Sequence, residues 1–370
     1  METAGEILQA KAPAPRVSLD ALTSLRFFAA LAVVFYHSGA GFAEHSAFAP
    51  VFVVNALNNG WLGVPFFFIL SGFIITYVHG DLSFDASQLA EFFLARFSRL
   101  YPVYLLSLAL SAPFVSQFSP ATDWRQFVFL QAWFPHFSAT EWNFVSWTLS
   151  VEAFFYVLFP LLIHALRKLS DRALLIGLLL VAGLLALIWS NMTPELGNGE
   201  LTLGGQTYFT PVPVLRAPEF IYGMFFGVVF LRGRFRLPGW TAYAALAIIA
   251  LAATCSTQPA VAAVALVAFG PLIIALATIP KASAIRRLLD RPLLTLLGGA
   301  SYSLYLLQFP VHEWIVAATP ARLEFWGRLA FAPALILVSV LVYRGFEEPA
   351  RRRLRKLWTL ARGAGAIRAA

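Results

Sequence analysis

Long apolar runs separated by short polar ones set the pattern of this chain. The runs lie near residues 20–42, 60–79, 98–117, 144–166, 173–190, 213–231, 239–256, 260–279, 293–316 and 325–346. Each is close to the ~20 residues that carry a helix across the hydrocarbon of a bilayer. Inside lipid every backbone polar group must be bonded internally, which leaves helices or closed barrels. A barrel would show short alternating segments, and none stand out here. The pattern therefore predicts an all-α polytopic membrane protein with about ten transmembrane helices. It divides into a polar segment 1–19, a membrane domain 20–346 and a tail 347–370.

Charge fixes the orientation. With the N-terminus in the cytoplasm, 22 of the 27 Lys and Arg residues fall in cytoplasmic segments. Only Arg125 and Arg322 fall in outer loops, and Arg26, Arg216 and Arg328 lie in or at the ends of spans. This is the bias of a multi-pass inner-membrane protein, with both termini cytoplasmic. Trp61, Trp124, Trp133, Trp142, Trp189, Trp314 and Trp326 gather near the outer ends, as an interfacial belt would. The loop 118–142 has room for a short interfacial helix. The basic tail "ARRRLRKLWTLARGAGAIRAA" suits an anchor on anionic lipid.

Composition removes several classes of function. The chain is 59% hydrophobic and 12% charged, far from the ~25% charged of soluble domains. The net charge of +8 belongs to loops between apolar runs, so nucleic acid is not a partner. The single Cys255 rules out a disulfide within the chain. No H-E-x-x-H or similar ligand spacing occurs, so no metal is expected. The first apolar run reads as an uncleaved span, because Arg26 interrupts what would be a signal core.

The ionisable residues within spans carry the chemistry. In "SLRFFAALAVVFYHSG", Arg26 and His37 are eleven residues apart. That is three helical turns plus about 20°, so they share one face about 16 Å apart along the axis. Such groups are costly against lipid and belong at a polar cavity. Arg26 lies toward the cytoplasm and His37 toward the outside. The plain alternative is that Arg26 snorkels and His37 bonds a neighbouring helix. In span two, Ser71 of "LSGF" sits mid-membrane, where small residues serve either packing or a substrate. In "RFSRLYP", Arg96 and Arg99 are positioned either to anchor topology or to clamp phosphate. Glu152 in "SVEAFFY" needs a partner: His37, whose tautomer it would fix, or Arg216. Arg216 and Glu219, three apart, can also pair with each other. Span nine presents Tyr302, Tyr305 and Gln308 as a polar stripe.

These blocks resemble the acyltransferase-3 family of integral membrane acyltransferases. The likeness runs from "LDALTSLRFFAALAVVFYH" through "FFFILSGFI", "RFSRLYPVY", "WTLSVEAFFYVLFP", "APEFIYGMFFG" and "SYSLYLLQFP" to "FEEPARR". Members O-acylate carbohydrates and some other acceptors at or across the bacterial inner membrane, using cytoplasmic acyl-CoA. The resemblance puts the family's Arg–x10–His motif on Arg26 and His37, its basic motif on Arg96 and Arg99, and its Glu on Glu152. Where the family's ninth-span motif often carries a His, this chain has Gln308, which can hydrogen-bond but cannot take a proton.

The reading is an O-acyltransferase moving an acyl group, acetyl by preference, from acyl-CoA to a carbohydrate hydroxyl. His37 and Glu152 would be catalytic, and Arg26, Arg96 and Arg99 would hold the donor. Ser71, Tyr302 and Gln308 would meet substrate or pack. Acyl-CoA is a substrate; no permanently bound cofactor is expected. The partners are acyl-CoA, a carbohydrate and membrane lipid, with self-association left open. A transporter or flippase of a lipid-linked sugar is the rival reading, but the paired repeats and broken helices of transporters are not apparent. A membrane-bound O-acyltransferase of the other type is a third, and the Arg–x10–His spacing favours the first.

Overall fold

The computed structural model describes residues 18–44, 48–116, 118–135, 141–191, 200–203, 205–233, 237–320 and 324–369. The N-terminal segment 1–19 therefore lies almost wholly outside the described residues. The chain is an all-α polytopic membrane protein. Among the described residues, seven helical segments are long and apolar enough to cross a bilayer. All ten expected spans are helical. Three of them, however, fall short of that length and apolarity, on helices α4 (Ala86–Ser111), α9 (Trp240–Cys255) and α13 (Ser301–Ala318).

The reasons are local. Helix α9 has only 16 residues. Helix α4 starts twelve residues before the expected span, because Asp85 caps it by accepting from Ser87 N and Gln88 N at 3.0 Å. The helix thus carries a polar first turn and both Arg96 and Arg99. The expected span 293–316 is two helices, α12 (Pro292–Gly299) and α13, divided at Ala300. Gly298 and Gly299 are poor helix formers. A side chain at Gly298 would come 1.9 Å from the Thr23 carbonyl, so α12 lies directly on helix α1 (Asp20–Glu44).

The centre of the bundle is the pair α3 (Gly63–His79) and α8 (Val212–Arg232). Gly72 faces the Phe220 carbonyl and Gly223 faces the Ile69 carbonyl, each too close for a Cβ. Small residues let two membrane helices meet backbone to backbone in this way. Helix α8 is buried almost all round. By contrast, Leu179, Leu180 and Leu187 on α7 (Asp171–Asn191) are exposed, as lipid-facing residues are. A buried ion pair, Arg216–Glu219 at 3.1 Å, ties α8 to α7 through Trp189 Nε1, which donates to Glu219.

Two short features complete the connections between helices. The loop after α4 holds a short helix, α5 (Pro120–Phe127), where an interfacial helix is expected. Strands β1 (Glu200–Leu203) and β2 (Gln206–Phe209) form an antiparallel hairpin with Gly205 at φ +79°. The alternation and glycines of "ELTLGGQTYF" carry that signal in the sequence. At the other end, helix α14 (Glu324–Val342) widens into a π-helical turn, Tyr343–Glu347, before the basic helix α15 (Glu348–Ala369).

Candidate active site

The pattern of α1 brings Arg26 and His37 to one side of the helix, and the bundle gives each a different neighbourhood. His37 meets α13. Its Nδ1 lies 2.8 Å from Gln308 Oε1. The Gln308 amide nitrogen donates to the Tyr305 carbonyl at 2.7 Å, which turns Oε1 toward the imidazole. The network therefore assigns the proton to Nδ1, which donates to Gln308, and leaves the Nε2 lone pair free. The rings of Tyr36, Phe144 and Phe309 surround the imidazole at 5.1, 6.0 and 5.5 Å between centroids.

Arg26 opens onto a cleft near the N-terminal end of α1, the inner cleft in the expected orientation. Two adjoining chambers of about 100 and 50 Å³ share Arg26, Phe67, Arg99 and Glu152 as walls. Ser71 lines the larger chamber, and Tyr302 and Tyr305 line the smaller. The two guanidiniums repel each other and are balanced by Glu152 and Glu347. Glu152, on helix α6 (Trp147–Leu166), accepts from the Tyr156 hydroxyl at 2.9 Å. Glu347, in the π-helical turn, accepts from Ser303 Oγ at 2.6 Å. A π-turn shifts the helix register by one residue, and here it brings a carboxylate inward beneath α13.

The expected residues thus divide into groups. Arg26, Arg99, Glu152, Ser71 and Tyr302 gather at the inner cleft. His37 and Gln308 are joined by a hydrogen bond. Glu152 has Tyr156 and the arginines for company, while the imidazole has Gln308, so the dyad envisaged between Glu152 and His37 is not a hydrogen-bonded one. The alternative pairing with Arg216 is also absent, since Arg216 holds Glu219 and stacks on Phe68, Trp147 and Trp189. Arg96 stands apart from the cleft. It packs over the rings of Phe92 and Tyr156 at 5.9 and 6.0 Å, its Nε without a hydrogen-bond partner. Tyr302 directs its hydroxyl to the Leu100 carbonyl at 2.7 Å, so its contribution to the cleft is a ring wall. Glu347 escaped the reading of single residues, although two acidic residues closing an apolar span in "FEEPARR" are a signal of a buried counter-ion.

A second cavity, the outer one in the expected orientation, lies toward the C-terminal end of α1. It has a volume of about 460 Å³, between the C-terminal ends of α4 and α13 and the loop that leads into α6. Phe144 and Phe309, the rings that touch His37, also wall this cavity. The imidazole thus stands between a basic inner cleft and an outer cavity.

A family model described as an acyltransferase domain matches residues 19–344. The chain belongs to the acyltransferase-3 family. It is 29% identical to the acyltransferase MdmB of Streptomyces mycarofaciens, over 92% of this chain and 94% of that protein. It is 23% identical to the peptidoglycan O-acetyltransferase OatA of Listeria monocytogenes, over 91% of this chain but only 56% of that longer protein. The O-acetyltransferase OatA of Staphylococcus aureus is 27% identical over 44% of this chain and 28% of its own length. No solved structure matches. The protein is therefore an acyltransferase of the membrane, and the enzyme reading prevails over the transporter reading.

Proposed function

We propose that this protein is an O-acyltransferase with ten transmembrane helices and both termini in the cytoplasm. It moves an acyl group, acetyl by preference, from cytoplasmic acyl-CoA to a carbohydrate hydroxyl at or across the bacterial inner membrane. The observation that carries this reading is the single face of α1. It leads from a two-arginine cleft at Arg26 and Arg99 to an imidazole whose Nε2 is left free by Gln308. Paired guanidiniums suit an anionic donor. A free imidazole nitrogen suits proton transfer or acyl transfer.

In direct transfer, Nε2 takes the proton of the acceptor hydroxyl as its oxygen attacks the thioester carbonyl. The tetrahedral intermediate then collapses, the C–S bond breaks, and the CoA thiolate leaves and recovers that proton. In the two-step form, Nε2 itself attacks the thioester, the C–S bond breaks and the CoA thiolate leaves; the acceptor hydroxyl then attacks the acyl-imidazolium, the N–acyl bond breaks, and the hydroxyl proton passes to the thiolate. The Nδ1–H bond to Gln308 spreads the positive charge that develops on the ring in either form. The two MdmB- and OatA-named relatives support acyl transfer, and the OatA names support an oxygen acceptor.

The test is turnover by the purified protein in proteoliposomes loaded with radiolabelled acetyl-CoA. Release of free CoA, by transfer or by slow hydrolysis, should require His37. CoA release by His37→Ala at the wild-type rate would sink the reading.

A further inference from the structure

The outer cavity is chemically unlike the inner cleft. Its walls carry three carboxyl groups, Asp123, Glu141 and Glu313, and no Arg, Lys or His among the described residues. Hydroxyls line it as well, and one of them, Ser111 Oγ, is buried without a hydrogen-bond partner. Aromatic rings complete the walls: Trp142, and Phe144 packed against Phe309 at 5.4 Å between centroids. Asp123 is fixed in place, accepting from Ser119 N at 3.0 Å and from Trp142 Nε1 at 3.1 Å. Glu313, by contrast, is half exposed at the rim, with its neighbour His312 at 3.4 Å. Both carboxyl oxygens of Glu141 are buried and lack a hydrogen-bond partner among the described residues.

Each feature constrains an occupant. A volume of 460 Å³ is within the ~300–1,000 Å³ range of small-molecule pockets. Aromatic faces are electron-rich and attract the polarised C–H groups of a saturated ring. Unpartnered acceptors and hydroxyls in a wall are completed by a ligand that brings O–H or N–H donors. The carboxylates of Asp123 and Glu313, with no Arg, Lys or His among the described wall residues, repel an anion and tolerate an ammonium group, while Glu141 adds a neutral, buried carboxyl. The chamber also adjoins His37 through Phe144 and Phe309, so one layer of rings separates its contents from the imidazole.

We infer that this cavity is the acceptor subsite and that it selects by charge: it takes a hydroxyl-bearing ring that is neutral or carries an amine, and it rejects rings carrying a carboxylate or phosphate. The inference rests on the acyl-transfer reading but is tested without it. The protein thereby separates its two substrates electrostatically. The polyanionic donor belongs to the arginine cleft, and the uncharged or cationic acceptor belongs to the acidic chamber. Neither is drawn to the other's site.

The experiment is ligand-observed saturation-transfer NMR on the full-length protein in detergent. The probes are methyl glucoside, methyl glucosaminide and methyl glucuronide, which share one ring and differ in charge. The first two should bind and compete with each other, and the glucuronide should bind at least tenfold more weakly. Glu313→Lys puts a cation at the exposed rim and should narrow that gap at least threefold, whereas Glu313→Gln should narrow it less. Equal binding of all three, no binding of any, or a gap unmoved by Glu313→Lys would overturn the inference. His37-dependent release of CoA from acetyl-CoA is measured on the same preparations. Its persistence alongside a failed binding series would remove the charge filter and leave the acyl-transfer reading in place; its loss alongside a successful series would do the reverse.

Discussion

Gln308 holds His37 by its Nδ1 at 2.8 Å, and Gln308 is itself held by the carbonyl of Tyr305. A side chain that cannot titrate thus fixes the tautomer of one that can. In a bonding chain of this kind Gln308 positions the imidazole, and in the proposed mechanism only His37 exchanges a proton with the reacting groups.

The first prediction separates these roles. His37→Ala should lower kcat by about 10²–10⁴-fold, the usual loss for a general base. Gln308→Ala should lower kcat by up to about 10²-fold, since the ring remains but loses its orientation. The KM for acyl-CoA should be unchanged in both, because the donor's charged groups lie elsewhere. Steady-state kinetics on proteoliposomes would check this, and a raised donor KM in Gln308→Ala would place Gln308 at the donor instead.

The second concerns the donor cations. Arg26→Ala and Arg99→Ala should each weaken CoA binding by about tenfold or more, as expected on losing a charge-assisted bond. Lysine at either place should rescue only partly, for want of the planar fork. Arg96→Ala should weaken CoA less than either, because Arg96 is packed over Phe92 and Tyr156. Its loss should appear mainly in thermal stability, at about 0.5–2 kcal/mol. Calorimetry with CoA would decide, and equal effects at all three positions would return Arg96 to the binding site.

A related outcome is expected for Glu152. It faces Arg26 and Arg99 and offsets part of their charge. Glu152→Gln should leave the cleft one charge more positive, so CoA should bind more tightly, not less. Weaker binding in the same titration would show that Glu152 contacts the donor directly.

How far the sequence carried the site can be judged residue by residue. The Arg26–His37 relation is helical arithmetic along one element, and the structure keeps it. The partners of these residues depend on how helices cross, which no spacing within a helix determines. Thus Glu152, four residues from Tyr156 on its own helix, found that hydroxyl and the cleft arginines, whereas His37 found Gln308 from a helix some 270 positions away. Span positions were legible because lipid demands continuous apolar runs. Helix ends were not, because Asp85 and the pair Gly298–Gly299 act through capping and close packing. Glu347 was hidden for a similar reason: only the π-helical turn tells which of the two adjacent glutamates turns inward.

The buried ion pair offers a stability test. Glu219 is fully buried and bonds both Arg216 and Trp189. Glu219→Gln would keep the volume but leave Arg216 a buried charge without its counter-ion, which costs about 3–5 kcal/mol. The melting temperature should drop sharply, while CoA affinity of the folded fraction should be retained. Unchanged melting would mean that water or lipid reaches Arg216.

The last prediction uses the acid of the outer loop. Glu141 precedes the membrane-spanning part of α6. Burial pushes its carboxyl well above the usual carboxylate value of 4.5, and the Ser146 hydroxyl eases this only in part, since it is close by but not in hydrogen-bond geometry. The folded protein therefore keeps a proton on Glu141 at pH values where the unfolded chain has released it. With more protons bound in the folded state, stability must fall as pH rises, by up to about 1.4 kcal/mol per pH unit. The fall begins near the unfolded value and ends once pH passes the raised folded value. Glu141→Gln mimics the protonated form and has nothing to titrate. Other groups titrate alike in both proteins and cancel from the difference. The melting temperature of Glu141→Gln relative to wild type should therefore climb as pH is raised above 5, and level off only once pH passes the raised folded value. A difference that stays constant over that range, or that shifts in favour of the wild type, would mean that Glu141 meets a donor once ionised and is not an unpaired acid in the wall of the cavity.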